Sequence, residues 1–285
     1  MLRLTEIRLP IDHNEDDLKK AILDRLFITE KELDGFTVYR RNYDARKKTA
    51  IVFSYTVDVD VANEDFLLER FDGHPHIRKA PDMEYKFVKP FSRPIVVGCG
   101  PCGLFAALIL AQSGFKPIIL ERGKNVRERT RDTFGFWRER QLNPESNVQF
   151  GEGGAGTFSD GKLHTQIKDP KHYGRKVLTE LVKSGAPEEI LYIGKPHIGT
   201  FKLVRIIEEM RDEIISLGGE YHYESRVDDL IIENGQIQGV VLQDGRTFHS
   251  DHVILAPGHS ARDTFEMLYK RGVTMEAKPF SVGFR

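Results

Sequence analysis

The stretch that most constrains the fold is Val97-Gly98-Cys99-Gly100-Pro101-Cys102-Gly103, which closes the short apolar run Ile95-Val96-Val97. Glycines at this spacing after a strand permit a tight turn at Gly98, bare backbone for a ligand at Gly100 and close helix–strand packing at Gly103. From Leu104 the chain is apolar nearly all round, which predicts a buried helix, and Pro117 to Leu120 predicts the next strand. Strand, glycine turn, buried helix and strand in that order predict the start of a parallel, doubly wound α/β sheet.

The same pattern predicts a ligand. Unpaired N–H groups and the helix dipole favour a phosphate at the helix start, at Gly98, Gly100, Pro101, Cys102 and Gly103. Glu121 ends the second strand 23 positions beyond Gly98, where a carboxylate can accept hydrogen bonds from a ribose. A dinucleotide is therefore expected.

Downstream, Leu203 to Leu217 predicts a helix with one apolar face. Leu230–Ile232, Ile237–Leu242 and Thr247–Phe248 then predict three short strands. Asn234-Gly235 and Asp244-Gly245 between them are strong hairpin signals, so a small antiparallel meander is expected.

Residues 1–89 read as a separate α+β unit. Leu2, Leu4, Ile7 and Leu9 predict a strand, Leu18, Ile22 and Leu26 a helical face, and Phe36 to Arg41 a second strand. Alternation from Ile51 to Val61 predicts a long strand buried on one face. A helical piece around Phe66 to Phe71 and a strand at Tyr85 to Val88 complete a βαββαβ order, and a ferredoxin-like fold is expected. Lys89-Pro90-Phe91-Ser92-Arg93-Pro94 marks the boundary, because its two prolines block helix and central strand. Residues 90–285 are then the dinucleotide-binding domain, with an inserted substrate-side segment at about 164–202.

Composition excludes little but excludes usefully. A net charge of −1 argues against a dedicated nucleic-acid binder. The longest apolar stretch, Leu104 to Ala111, is too short to span a bilayer. The charged start and a count of two cysteines predict a cytoplasmic location without a disulfide framework. No metal site is expected, since His74 and His76 lack further ligands at metal spacing.

Three features resemble the glutathione-reductase-like flavoproteins. They are the strand ending Leu120-Glu121-Arg122-Gly123, the Ser225-Arg226-Val227 before the meander, and Asp251-His252-Val253-Ile254-Leu255-Ala256-Pro257-Gly258, where Pro257 stands in place of the usual threonine. That resemblance implies FAD, with Arg122, the backbone at Val227, Ala256 and Gly258 as further contacts. The motifs from Gly151 to Leu163 and from Gly258 to Thr264 also resemble a bacterial family of uncharacterised FAD-dependent dehydrogenases. It implies an FAD-dependent oxidoreductase of unspecified substrate and electron acceptor, with NAD(P)H as an electron donor to be considered. Members of that family are longer, so a chain truncated at its C-terminal end, within the strand expected at Lys278 to Arg285, is the expectation.

The loop from Gly151 to Gly161 carries five glycines in eleven positions, a composition costly to order without a reason such as close ligand approach. Gly154, Gly156, Thr157 and Ser159 are added as candidate cofactor contacts; Thr157, Ser159 and Asp160 are candidates to hydrogen-bond the ribityl chain or ribose, and Lys162 to offset phosphate or flavin charge. Ser260 to Asp263 predicts a capping box opening a helix. No residue has a catalytic assignment; His197 and His259 are candidates for acid, base or substrate clamp, and Lys162 is a further catalytic candidate. Cys99-Gly100-Pro101-Cys102 spells a dithiol motif, but a phosphate bound at the turn would occupy the same space. The alternative is an RNA-associated flavoprotein whose N-terminal unit binds RNA through Arg40, Arg41, Arg46, Lys47 and Lys48.

Overall fold

Alternation along residues 51–61 produces a strand whose Val57 and Val59 are fully buried, and around it the N-terminal sheet assembles. In the computed structural model, which describes residues 1–47, 50–89, 92–158, 161–163, 165 and 167–279, the first elements are β1 (Leu2–Pro10), α1 (Glu15–Leu26), β2 (Leu33–Asp44), β3 (Val52–Val61), α2 (Glu64–Arg70) and β4 (Ile77–Lys79). The sheet order is β2-β3-β1-β4, with every pair antiparallel. Helix α1 opens on a capping box between Asn14 and Asp17 and buries Leu18, Ile22 and Leu26. The fourth strand is not at Tyr85 to Val88. It lies earlier because Ile77, 4% exposed, opposes Leu4 and enters the core, whereas Phe87 and Val88 stay exposed.

The parallel sheet begins with β5 (Ile95–Val97), α3 (Pro101–Gln112), β6 (Ile118–Leu120) and α4 (Val126–Glu139). The chain then passes through α5 (Tyr173–Lys183) and continues as α6 (Thr200–Ser216), β7 (Glu220–His222), the meander β8 (Val227–Glu233), β9 (Gln236–Leu242) and β10 (Thr247–His249), β11 (Val253–Leu255) and α7 (Arg262–Lys270). The strand order β11-β5-β6-β7, parallel throughout, is that of half of a doubly wound sheet. Successive strand residues serve opposite faces. Ile95, Val97, Ile118 and Leu120 share a core with Val227, Leu230, Val240 and Leu242 of the meander. On the other face Val96 and Ile119 are fully buried, and α3 packs against α6.

The chain divides into two units, Met1–Tyr85 with Lys162–Ile198, and Lys86–Gly161 with Gly199–Arg285. Most of the segment expected as an insertion at about 164–202 thus groups with the N-terminal sheet. There the Arg41 N–H donates to the Tyr192 carbonyl at 2.7 Å, and Ile193 forms a parallel bridge with Arg41. No helix among the described residues is long and apolar enough to cross a membrane.

Candidate functional site

Gly98 and Gly103 each answer a separate steric demand. Gly98 has φ +95°, and a Cβ there would lie 2.4 Å from the Ala256 carbonyl oxygen; one at Gly103 would lie 1.8 Å from that of Gly98. At Gly100 the nearest atom to an added Cβ is 3.8 Å away, an ordinary contact, so no steric demand within the chain calls for glycine there. Helix α3 has Pro101 at its first turn and Gly100 as an N-cap without a side-chain cap. The N–H groups of Cys102 and Gly103 have no acceptor within a helix beginning here. Glu121 is 4% exposed and accepts from the N–H of Cys99 at 2.7 Å and of Gly123 at 2.8 Å. Its carboxylate therefore braces the turn as well as lining the space beyond it, a role its motif position did not suggest.

The glycine loop after residue 150 is folded around a side chain that the sequence does not single out. Arg129 on α4 is fully buried and donates to the carbonyls of Asn147, Val148, Glu152 and Gly154 and to the Thr157 hydroxyl, at 2.7–3.0 Å. Burial pulls its pKa down to about 10. Glu152, also fully buried, accepts from the N–H of Val126, Arg211 and the Tyr223 hydroxyl, and burial raises its pKa. The loop is thereby pressed against the glycine turn, with the Gly153 N–H donating to the Cys99 carbonyl at 2.7 Å. It also crosses over Gly123, where a Cβ would come within 2.6 Å of the Gly151 Cα.

Between these parts lies a cavity of about 640 Å³, within the usual range for a small-molecule site. Gly98, Gly100, Pro101, Cys102, Glu121, Arg122, Gly154, Gly156, Val227, Ala256 and Gly258 all line it, as does His259. Gly103 lies behind, packed on Gly98. Thr157 is 2% exposed and turns its hydroxyl to Gly154 and Arg129 rather than to the cavity. Ser159 and Asp160 lie outside the described residues. Lys162 and His197 face each other across an antiparallel bridge in the first unit and are not among the cavity's lining residues.

Charge at the rim of the cavity is paired. Arg122 donates to Glu145 at 2.8 Å and bidentately to Asp263 at 3.1 and 2.9 Å, with its guanidinium 4.1 Å from the centre of the Phe150 ring. Arg226 joins Glu145 at 2.8 Å and Asp228 at 2.7 Å. The capping box expected at Ser260 to Asp263 does not form. Helix α7 starts after Ala261 without a side-chain cap, because Asp263 is drawn to Arg122 and the Ser260 hydroxyl donates to the Gln149 side-chain oxygen at 3.0 Å. Cys99 is buried and Cys102 exposed, and burial pushes the Cys99 thiol well above its ordinary value. That is the reverse of the acidified thiolate a dithiol centre requires.

The sequence model for a domain of unknown function, DUF8436, matches residues 1–60. Over 288 aligned residues the chain is 42% identical to an uncharacterised protein of Clostridium beijerinckii, covering all of this chain and 54% of that protein. It is 26% identical over 178 residues to the thiamine thiazole synthase of Methanococcus vannielii, covering 59% of this chain and 56% of the other. The chain thus spans about half the length of these relatives. Among solved structures, THI4 of Thermovibrio ammonificans aligns with 64% of each chain at 19% identity and a TM-score of 0.42.

Proposed function

We propose that the second unit binds FAD and that the protein is an FAD-dependent oxidoreductase. The observation that carries this reading is the uncapped start of α3, opening through Gly98 and Gly100 into a cavity whose wall includes the Glu121 carboxylate. The residues present fit the group. The bare main chain of Gly100 on the cavity wall admits a pyrophosphate to the backbone, where unpaired N–H groups and the helix dipole favour negative charge. Glu121 retains lone pairs for the ribose hydroxyls, and the backbone at Val227 takes the adenine edge. Ala256, Gly258, Gly154 and Gly156 supply side-chain-free surface along the dinucleotide.

When bound, the flavin supplies the redox chemistry of such a protein. The chain's own contribution is to hold and orient the dinucleotide: backbone donors meet the phosphates, and the Arg122–Glu145–Arg226 pairs order the rim. In the same reading the N-terminal unit, with its βαββαβ order, is a ferredoxin-like domain that accompanies the FAD domain. The RNA-associated alternative gains no support. Arg41 lies over the Phe53 and Tyr192 rings, Arg46 is paired with Asp44, and Lys48 lies outside the described residues.

The test is uptake of FAD by the purified chain, followed by visible absorbance and equilibrium dialysis, with ADP as competitor. Stoichiometric binding displaced by ADP is expected. Anaerobic titration of the loaded protein with NADH and NADPH then tests the oxidoreductase reading and its donor. Failure to take up FAD, ADP or adenosine overturns the proposal.

A further inference from the structure

Helix α4 buries one narrow side. Its buried residues are Val126, Arg129 and Thr133, spaced three and four apart. Arg131, Phe134 and Arg138 repeat that spacing among the exposed residues, so they are neighbours on the helix surface. Large apolar side chains are concentrated here: Phe134 is 42%, Trp137 53% and Leu142 57% exposed. The rings are held in place. Phe134 and Trp137 meet edge to face with centres 5.3 Å apart, and Trp137 meets Phe158 in the same way at 5.9 Å. The Phe158 ring centre lies 4.9 Å from the buried Arg129 guanidinium, which anchors the cluster to the interior of the unit.

Unpaired positive charge accompanies the rings. Several other arginines of this unit are neutralised, Arg127 by Glu208, Arg226 by Glu145 and Asp228, and Arg271 by Asp229. Arg131, Arg138 and Arg140 are exposed and make no ion pair among the described residues. Arg138 lies instead 5.4 Å from the centre of the Phe134 ring. Of the carboxylates on α4, Asp132 is held by Lys124 at 3.1 Å and Glu128 accepts from Asn125, which leaves Glu139 among the three arginines. The net charge of −1 over the whole chain conceals this local excess.

We infer that this face of α4 docks on an anionic lipid surface. Aromatic and arginine side chains interleaved on the exposed side of a helix suit the membrane boundary. The rings enter between headgroups and acyl chains while the guanidinium groups meet lipid phosphates. Leu142 favours this occupant over a nucleic acid, because an aliphatic side chain gains from leaving water and offers no face on which a base can stack. The inference stands whatever the cavity holds. The short turn Ala155–Phe158 that carries Phe158 also places Ala155 and Gly156 on the cavity wall, so docking here keeps the cavity beside the lipid surface.

Trp137 is the one tryptophan of the chain, so its fluorescence reports on this face alone. The experiment titrates the chain with vesicles of phosphatidylcholine, with and without phosphatidylglycerol, at low and high salt. A blue shift of the Trp137 emission and co-sedimentation with the anionic vesicles are expected, both reversed by salt. Phe134→Ser should weaken binding about 5- to 10-fold, the loss of one half-exposed ring. Arg131→Gln, Arg138→Gln and Arg140→Gln should weaken it about 5-fold each. No shift with anionic vesicles overturns the inference, as does equal binding to neutral ones. A blue shift that grows with protein concentration in the absence of lipid also overturns it, showing that a second copy covers the face. Quenching by polyuridylate without vesicle binding overturns it in favour of RNA. If Phe134→Ser does not fold, the three exposed arginines decide: binding unchanged in all three variants places the lipid contact elsewhere and overturns the assignment.

Discussion

A methyl group added at Gly103 would lie 1.8 Å from the Gly98 carbonyl oxygen, whereas one at Gly100 would find its nearest neighbour 3.8 Å away. The two positions should therefore separate stability from binding. Gly103→Ala drives a side chain into backbone that cannot yield, and is expected to cost about 1–3 kcal/mol in denaturant unfolding. Gly100 has φ −72°, which alanine adopts freely, so Gly100→Ala should cost under about 1 kcal/mol while weakening ADP by roughly 10-fold or more. These glycines were legible in the sequence because backbone geometry dictates them. Arg129 was not. It sits in the run Arg127-Glu128-Arg129-Thr130-Arg131-Asp132, where nothing sets one arginine apart from the others, and only the fold turns one of the three wholly inward. Glu121 was legible as a carboxylate closing the second strand, but its two bonds to backbone N–H groups depend on how the turn and strand come together.

Among the elements, long periodic segments were foreseeable and their junctions were not. The helix at 200–216 and the meander follow from periodicity and from Asn-Gly and Asp-Gly turns. The fourth strand was misplaced because Tyr85 to Val88 has better strand composition than Ile77-Arg78-Lys79, while the deciding factor is the pairing of Ile77 with Leu4. The start of α7 was misread because a distant arginine outcompetes local capping for Asp263. That competition is testable by pH. The hydrogen bond from Arg122 holds the Asp263 carboxyl below its usual range, so its stabilisation is present above the unfolded-state pKa, about 4. It is lost as pH falls through the lower folded-state value. Asp263→Asn should cost under about 1 kcal/mol at neutral pH, since the carboxylate is half-exposed. It should also flatten the acid side of a plot of unfolding midpoint against pH. An unchanged acid limb would count against the clasp.

At the scale of the whole molecule, the parallel sheet and its flanking glycine loop account for the cavity. The first unit is held by a different device. Arg3 and Asp58, 3% and 6% exposed, form a bidentate pair at 2.7 and 2.8 Å beneath the Tyr39 ring, which lies 3.6 Å from the Arg3 guanidinium. Removing one partner of a buried pair leaves the other charge stranded. Asp58→Ala is expected to destabilise this unit by about 3–5 kcal/mol, read as lost hydrogen-exchange protection in peptides of β1 and β3. Protection retained in those peptides would show that the pair is dispensable.

The discontinuity of this unit also bears on how the chain is made. Strand β2 meets Ile193 through one parallel bridge at Arg41, more than a hundred residues after the four-stranded sheet has left the ribosome. At roughly 5–20 residues per second, that edge stays unpaired for several seconds of each round of translation. Through that interval the nascent chain offers a row of free main-chain groups to any neighbouring strand on the same polysome, and arrival of the Tyr192–Ile193 segment then occupies the stretch of that edge at Arg41.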